Sequence, residues 1–270
     1  MVDTLGHYLL DYYRTCGVDV VCGEEAGGWL VARSRPAEPA VETPAPVKRV
    51  VAPPPPPAPA PAPVVRPVSR SPQAPIPPST LTLEEKLARL QPMAQQVAQC
   101  RSCVLAKTRT QTVFGVGSPM APVVFIGEAP GQDEDLQGEP FVGPAGKLLN
   151  NILAGSGYRR EDIYIANALK CRPPGNREPQ PDEIHLCQGF LFRQLEIIAP
   201  KAIFTLGRYA ILSLLGMSGA MGHIRGKRYT WRGIPVVASY HPSYYLRTPS
   251  RKKAAWEDIL LLQDVLDGLS

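Results

Sequence analysis

Cys100 and Cys103 form a C-x-x-C pair, and Cys171 and Cys187 follow at long range. Such a pair puts two thiolates on one side of a metal, and two more close a tetrahedral set. The fifteen residues between Cys171 and Cys187 match no zinc ribbon or finger, whose second pair is as tight as the first. Two close and two distant thiolates suit a [4Fe–4S] cluster. Zinc is the alternative, and Cys187 also lies on an apolar helical stripe where a merely buried thiol would sit. Cys16 and Cys22 lie beyond a proline-rich tract and need take no part.

A second constellation centres on VVFIGEAPGQDEDLQGEPFVGPAGKLL, residues 123–149. Val123 to Ile126 read as a buried strand. The corner Gly127-Glu128-Ala129-Pro130-Gly131 can turn sharply and bring main-chain N–H groups close to a ligand. Phosphate is a poor candidate. Lys147 is followed by Leu148 rather than Ser or Thr, Phe141 stands where a P-loop needs glycine, and no G-x-G-x-x-G occurs. Asp133, Glu134 and Asp135 would also repel a pyrophosphate, so the corner suits a neutral or cationic group or an uncharged ring.

Basic residues supply a third signal. From Ile197 to Trp256 there is no Asp or Glu, while ten Lys and Arg occur, among them Arg208, Arg225, Arg228, Arg232, Arg247, Arg251, Lys252 and Lys253. This predicts a positive surface beside His241, suited to a phosphate backbone. Tyr244, Tyr245 and Leu246 stand next to Arg247, and apolar groups among basic ones can wedge into a base stack.

The elements that must carry these groups follow from composition and period. Of 31 prolines, seventeen fall between Pro36 and Pro78. Residues 35–79 therefore read as a disordered, semi-rigid Pro/Ala-rich linker. Residues 80–270 are long enough for one sizeable core. In residues 1–34, Leu5, Tyr8, Leu9, Tyr12 and Tyr13 lie at helical spacing. They make either a short amphipathic helix that docks on a partner protein or on the main domain, or a tail. No apolar run approaches the ~18 residues of a membrane span and no secretory signal is visible, so the expectation is a cytoplasmic monomer.

Within the main part, Thr82 to Glu85 form a capping box that starts a helix through Leu90. Pro92 should end it before a second short helix reaches Cys100. Strands are expected at 123–126, 163–167 and 202–206, a hairpin at 226–239, and helices from Pro144, Pro181, Gly207 and Ser250. Strands alternating with helices predict a mostly parallel sheet covered on both faces, an α/β fold. Ligands of such folds bind beyond the carboxyl ends of the strands, where the 127–131 corner, Asn167 and His241 fall.

The C-x-x-C pair, GEAPGQDED, PFVGPAGKLL, Asn167 with KCRPP, Cys187, and HPS followed by YYLR occur in order over some 170 residues. In this the chain resembles the family 4 uracil-DNA glycosylases, the iron–sulfur type. The resemblance implies a three-layer α/β/α sandwich with a four-stranded parallel sheet. It implies hydrolysis of the N-glycosidic bond of deoxyuridine in DNA, and a structural [4Fe–4S] cluster on Cys100, Cys103, Cys171 and Cys187. It implies a uracil pocket made by Gly127, Glu128, Ala129, Phe141, Asn167 and His241, with Tyr244, Tyr245, Leu246 and Arg247 on the DNA. In the related family 1 the corner carries an Asp that orients water and a Tyr that blocks the thymine methyl. Ala129 and Gly131 stand there in this chain, which leaves Glu134 as the candidate to position the water. A related branch traps uracil covalently through a histidine in an arginine-rich loop. Pro173 to Arg177 hold no histidine, so turnover is expected. The competing reading is a non-catalytic iron–sulfur or zinc nucleic-acid-binding module, docked to a polymerase through residues 1–34.

Overall fold

The structure, a computed structural model, describes residues 74–269. The expected helix in residues 1–34, Cys16, Cys22 and most of the 35–79 linker lie outside the described residues.

The Thr82 hydroxyl accepts the Glu85 N–H, and the Glu85 carboxylate accepts the Thr82 N–H, as a capping box requires. The helix so started, α1 (Leu83–Gln99), runs straight through Pro92 instead of ending there. Pro92 forfeits one backbone bond, but its ring lies on the exposed side. The buried stripe Lys86, Leu90, Met93 and Val97 continues past it at helical spacing. Tertiary burial outweighs the local breaker.

Strands β1 (Val116–Gly117), β2 (Val123–Gly127), β3 (Tyr164–Asn167), β4 (Ala202–Leu206), β5 (Arg228–Trp231) and β6 (Ile234–Ser239) form one sheet, in the order β1-β3-β2-β4-β6-β5. The sheet thus has six strands, not four. Its four central strands, β3, β2, β4 and β6, are parallel, and the antiparallel β1 and β5 flank them. The added edges are short: β1 is a two-residue pairing and β5 is the outer arm of the expected hairpin.

Continuous apolar runs such as Val123–Ile126 are what a strand buried on both faces needs. One face of β2 presents Val123 and Phe125. They pack with α3 (Pro144–Gly155) and α8 (Lys252–Asp267) through Leu149, Leu153, Ile259 and Leu262. The other presents Val124 and Ile126 toward α4 (Pro181–Ile198) and α5 (Arg208–Leu215) through Leu191, Leu195, Ile211 and Leu214. Helix, sheet and helix make the three layers. Three short helices escaped the periodicity: α2 (Gln132–Gln137), α6 (Met221–Ile224) and α7 (Pro242–Arg247). Each is too brief to show a repeat.

Folded structure also begins earlier than residue 80. The Ile76 N–H donates to the Arg232 carbonyl at 2.9 Å, and Ile76 packs on the core beside Trp231 and Ile234. Among the described residues no helix is long and apolar enough to cross a membrane.

Candidate active site

Parallel pairing puts Gly127, the last residue of β2, opposite Asn167, the last of β3. Beyond these carboxyl ends opens a cavity of about 550 Å³. Phe141, Asn167 and His241, from three separate segments, all line it, together with Glu128, Ala129 and Glu134.

Gly127 is what lets two of them meet. A Cβ there would lie 2.3 Å from Asn167 Oδ1 and 2.6 Å from two ring carbons of Phe141. The Asn167 side chain is buried, and its Oδ1 has no hydrogen-bond partner. An unpaired buried acceptor costs about 1–3 kcal/mol, so its persistence at the wall of a cavity points to a ligand donor. The Phe141 and His241 rings stand 5.6 Å apart.

Phe141 is a non-glycine residue at φ +55°, which costs about 1–3 kcal/mol. Several contacts hold it there. The Val142 and Gly143 N–H groups donate to Glu134 Oε1 at 2.9 and 3.0 Å, and the Gly131 N–H donates to Glu134 Oε2 at 3.0 Å. Gly146 lies so close under the Phe141 carbonyl that any Cβ would collide with it. Glu134 is therefore a buried pin between the corner and the Phe141 loop. Asp135 is a second pin, accepting the Thr110 and Gln111 N–H groups. Two of the three acidic residues are thus spent on backbone, while Asp133 lines the cavity.

His241 is the N-cap of α7: its Nδ1 accepts the Ser243 N–H at 3.2 Å and lies 2.9 Å from Ser243 Oγ. With Nδ1 an acceptor, the ring proton sits on Nε2. Burial, then the charge of Arg247, pushes its pKa down to about 4, so the neutral imidazole is a donor. Glu128 lies beside it, since a Cβ on Gly207 would touch both the Glu128 carboxylate and His241 Cβ. Burial raises the Glu128 pKa, while the Tyr209 N–H donating to its Oε1 at 3.1 Å opposes the rise.

The rim extends the Pro173 to Arg177 loop to Glu178 and Pro179, which the motifs did not single out. Pro173, Asn176, Arg177, Glu178 and Pro179 form one wall. Arg177 pairs with Glu183 at 2.5 Å, and Glu178 accepts from Arg208 and Tyr209 Oη at 2.8 and 2.7 Å. The available signal was position: this loop leaves the carboxyl end of β3. Leu246 and Arg247 line the opposite rim, both exposed.

Tyr245 does not join them. It is 1 % exposed, and its hydroxyl bonds Ser239 Oγ at 3.1 Å. Its place is the core, because Pro242 and Tyr245, three positions apart, share the buried face of α7. Tyr244 is half-buried and stacks on Tyr240 at 4.3 Å. The acid-free stretch is likewise less bare than its sequence: Arg208, Arg225, Arg228 and Arg232 pair with Glu178, Asp258, Asp264 and Glu196 from other segments. Arg247 at the end of α7, and Arg251 and Lys253 around the start of α8, are exposed.

On the far side of Leu169, Cys100, Cys103, Cys171 and Cys187 line one cavity without any carboxylate or imidazole. Arg109 donates to Cys171 Sγ at 3.0 Å, and the Lys170 N–H to Cys187 Sγ at 3.3 Å. Burial raises the Cys171 pKa and pushes Cys187 up to about 11. Among the described residues no three His, Cys, Asp or Glu side chains converge as a single metal ion requires. The donor set suits a soft metal group.

A sequence profile of the uracil-DNA glycosylase superfamily matches residues 114–260. A type-4 uracil-DNA glycosylase of Archaeoglobus fulgidus is 48% identical over 172 residues, 61% of this chain and 86% of the relative. Proteins of the same description from Saccharolobus solfataricus and Thermotoga maritima are 42% and 43% identical, covering 65% and 62% of this chain and 86% and 89% of the relatives.

Proposed function

This chain belongs to the uracil-DNA glycosylase superfamily, in its type-4 branch, and we propose that it flips deoxyuridine out of DNA and hydrolyses its N-glycosidic bond. The observation that carries this reading is the unpartnered Asn167 Oδ1 in a cavity shared with the Phe141 ring and a neutral His241.

A base in a duplex is out of reach and must be extruded. The flipped ring stacks on Phe141. Asn167 Oδ1 accepts the N3–H of uracil and its amide N–H donates to O4. Cytosine offers an acceptor at N3 and a donor at N4, so the same amide is mismatched at both. His241 Nε2–H donates to O2. When the C1′–N1 bond breaks, its electron pair passes to the base, and the growing charge on O2 is held by that donor. Water adds its oxygen to C1′, and its proton ends on the released uracil.

Four carboxylates line the cavity, Glu128, Asp133, Glu134 and Glu178, the last of them taken up by Arg208 and Tyr209. Glu134 spends its acceptor sites on three backbone N–H groups. Glu128 retains more bonding capacity and stands beside His241. We assign water orientation to Glu128, and to Glu134 the holding of the Phe141 loop. Leu246 fills the gap left in the stack, and Arg247 faces the phosphate backbone. Pro173 to Arg177 offer no histidine to capture the sugar, so the product turns over. Cys100, Cys103, Cys171 and Cys187 would hold a [4Fe–4S] cluster, which supplies a cross-link between the end of α1, the loop after β3 and the middle of α4.

The test is a single-uracil oligonucleotide incubated with the protein and then treated with alkali. Strand cleavage at the uracil is expected, with loss of most activity in Asn167→Ala and His241→Ala while both variants stay folded. Intact DNA would favour the non-catalytic module, and normal cleavage by both variants would put the pocket elsewhere.

A further inference from the structure

We propose that Arg160, which lies outside the cavity, is a positioning residue for base stacking: its guanidinium holds the loop that keeps the Phe141 ring in its left-handed backbone conformation. The inference rests on the uracil-excision reading above.

Phe141 at φ +55° is set between two anchors. On its C-terminal side the Val142 and Gly143 N–H groups are fixed by Glu134. On its N-terminal side the Pro140 carbonyl accepts from Arg160 Nη2. Proline has no N–H, so this carbonyl is the handle left on that side. Arg160 is itself held, with Nη1 donating to Asn150 Oδ1 at 3.0 Å. Burial lowers its pKa, while Glu139 and Glu134 oppose the shift. The guanidinium thus bridges α3, the Phe141 loop and the turn before β3. Its sequence neighbours Glu161 and Asp162 pair with Arg159 instead.

Left-handed backbone at a bulky residue persists only where its surroundings over-determine it. Released at Pro140, Phe141 returns toward ordinary φ and its ring leaves the plane in which a base stacks. The cavity then loses its stacking face while the DNA-binding rim at Leu246 and Arg247 is untouched.

The experiment compares wild type, Arg160→Ala, Arg160→Lys and Asn150→Ala in excision kinetics, inhibition by free uracil, binding to DNA carrying a tetrahydrofuran abasic analogue, and melting. Arg160→Ala should lose about tenfold in kcat/KM, the size of a partly lost base stack. Inhibition by uracil should weaken in parallel, and abasic-DNA affinity should stay unchanged. Arg160→Lys, which can still reach the carbonyl, should recover most of the loss. Asn150→Ala should show a smaller loss of the same kind, a reading that survives if Arg160→Ala folds poorly. Wild-type uracil inhibition in Arg160→Ala and Asn150→Ala, or equal loss of uracil and abasic-DNA binding, would overturn the inference. Wild type unable to excise uracil would instead overturn the functional reading.

Discussion

Gly127→Ala is the sharpest probe of the cavity, because one methyl group tests two contacts at once. Gly127 has no positive φ, so alanine suffers no backbone penalty there and the effect is purely steric. The added carbon would stand 2.3 Å from Asn167 Oδ1 and 2.6 Å from the Phe141 ring. Relief to ordinary contact moves both groups by about 1 Å, a displacement that can cost 100-fold in an active site. Counted by interaction, a lost base stack is worth ~1–3 kcal/mol and a lost hydrogen bond ~1 kcal/mol. The sum of ~2–4 kcal/mol corresponds to a fall of about 30- to 900-fold in kcat/KM. Alkali-cleavage time courses on single-uracil DNA measure it, with binding to an abasic analogue as the control for an intact DNA surface. In combination with Phe141→Ala the losses should be less than additive, because truncating the ring removes one of the two clashes. Activity within about threefold of wild type, or strict additivity with Phe141→Ala, would refute the close approach that defines the pocket.

Further outcomes follow from the same geometry. His241 titrates near 4 in the folded protein against 6.5 when unperturbed, so the acid limb of kcat/KM due to this residue should lie near pH 4; a limb near 6.5 would mean an exposed imidazole. The sign for stability follows: the unfolded chain takes up the proton first, so stability falls as pH drops from about 6.5 toward 4, which urea unfolding at stepped pH should register. Cys171→Ser should abolish visible absorbance and lower the melting temperature, and a protein purified with one zinc and no iron would contradict the cluster. Leu246→Ala should cut excision from duplex DNA with unchanged melting. Tyr245→Phe should cost roughly 1 kcal/mol of stability through its lost bond to Ser239 and leave kcat intact.

The layers of this fold were legible because parallel strands buried on both faces must be apolar throughout. Residues 202–206 and the hairpin around Arg232-Gly233 needed no tertiary information. Pro92 was misleading, because its local cost is paid by a buried stripe that pairs α1 with α4, far away in the chain. The acid-free stretch misled for the same reason: Arg225 looks unpartnered until α8 brings Asp258 to 2.7 Å. At the site, the residue types pointed to Asn167, Phe141 and His241, but only topology could bring three segments together. Glu134 looked like chemistry because charge is visible in a sequence, whereas the backbone N–H groups that consume it are not. Arg160 was invisible for the complementary reason: its partner is a carbonyl, and carbonyls carry no letter.

The two constellations of this chain are joined by one short run. Asn167 ends β3 in the cavity; the Ala168 and Leu169 N–H groups donate to the Gly127 and Glu128 carbonyls of the corner; the Lys170 N–H donates to Cys187 Sγ; and Cys171 belongs to the sulfur-lined site. The buried Lys170 ammonium folds back on this run, donating to the Asn167 carbonyl at 2.9 Å as well as to the Phe114 carbonyl and Gln194 Oε1. Five consecutive residues therefore tie the amide at the cavity wall, the corner that shapes the cavity and one sulfur of the sulfur-lined site. We propose that a group bound by the four cysteines would act without electron chemistry: by holding Cys171 it would limit the travel of Asn167, and an amide that must meet N3–H and O4 together tolerates little travel.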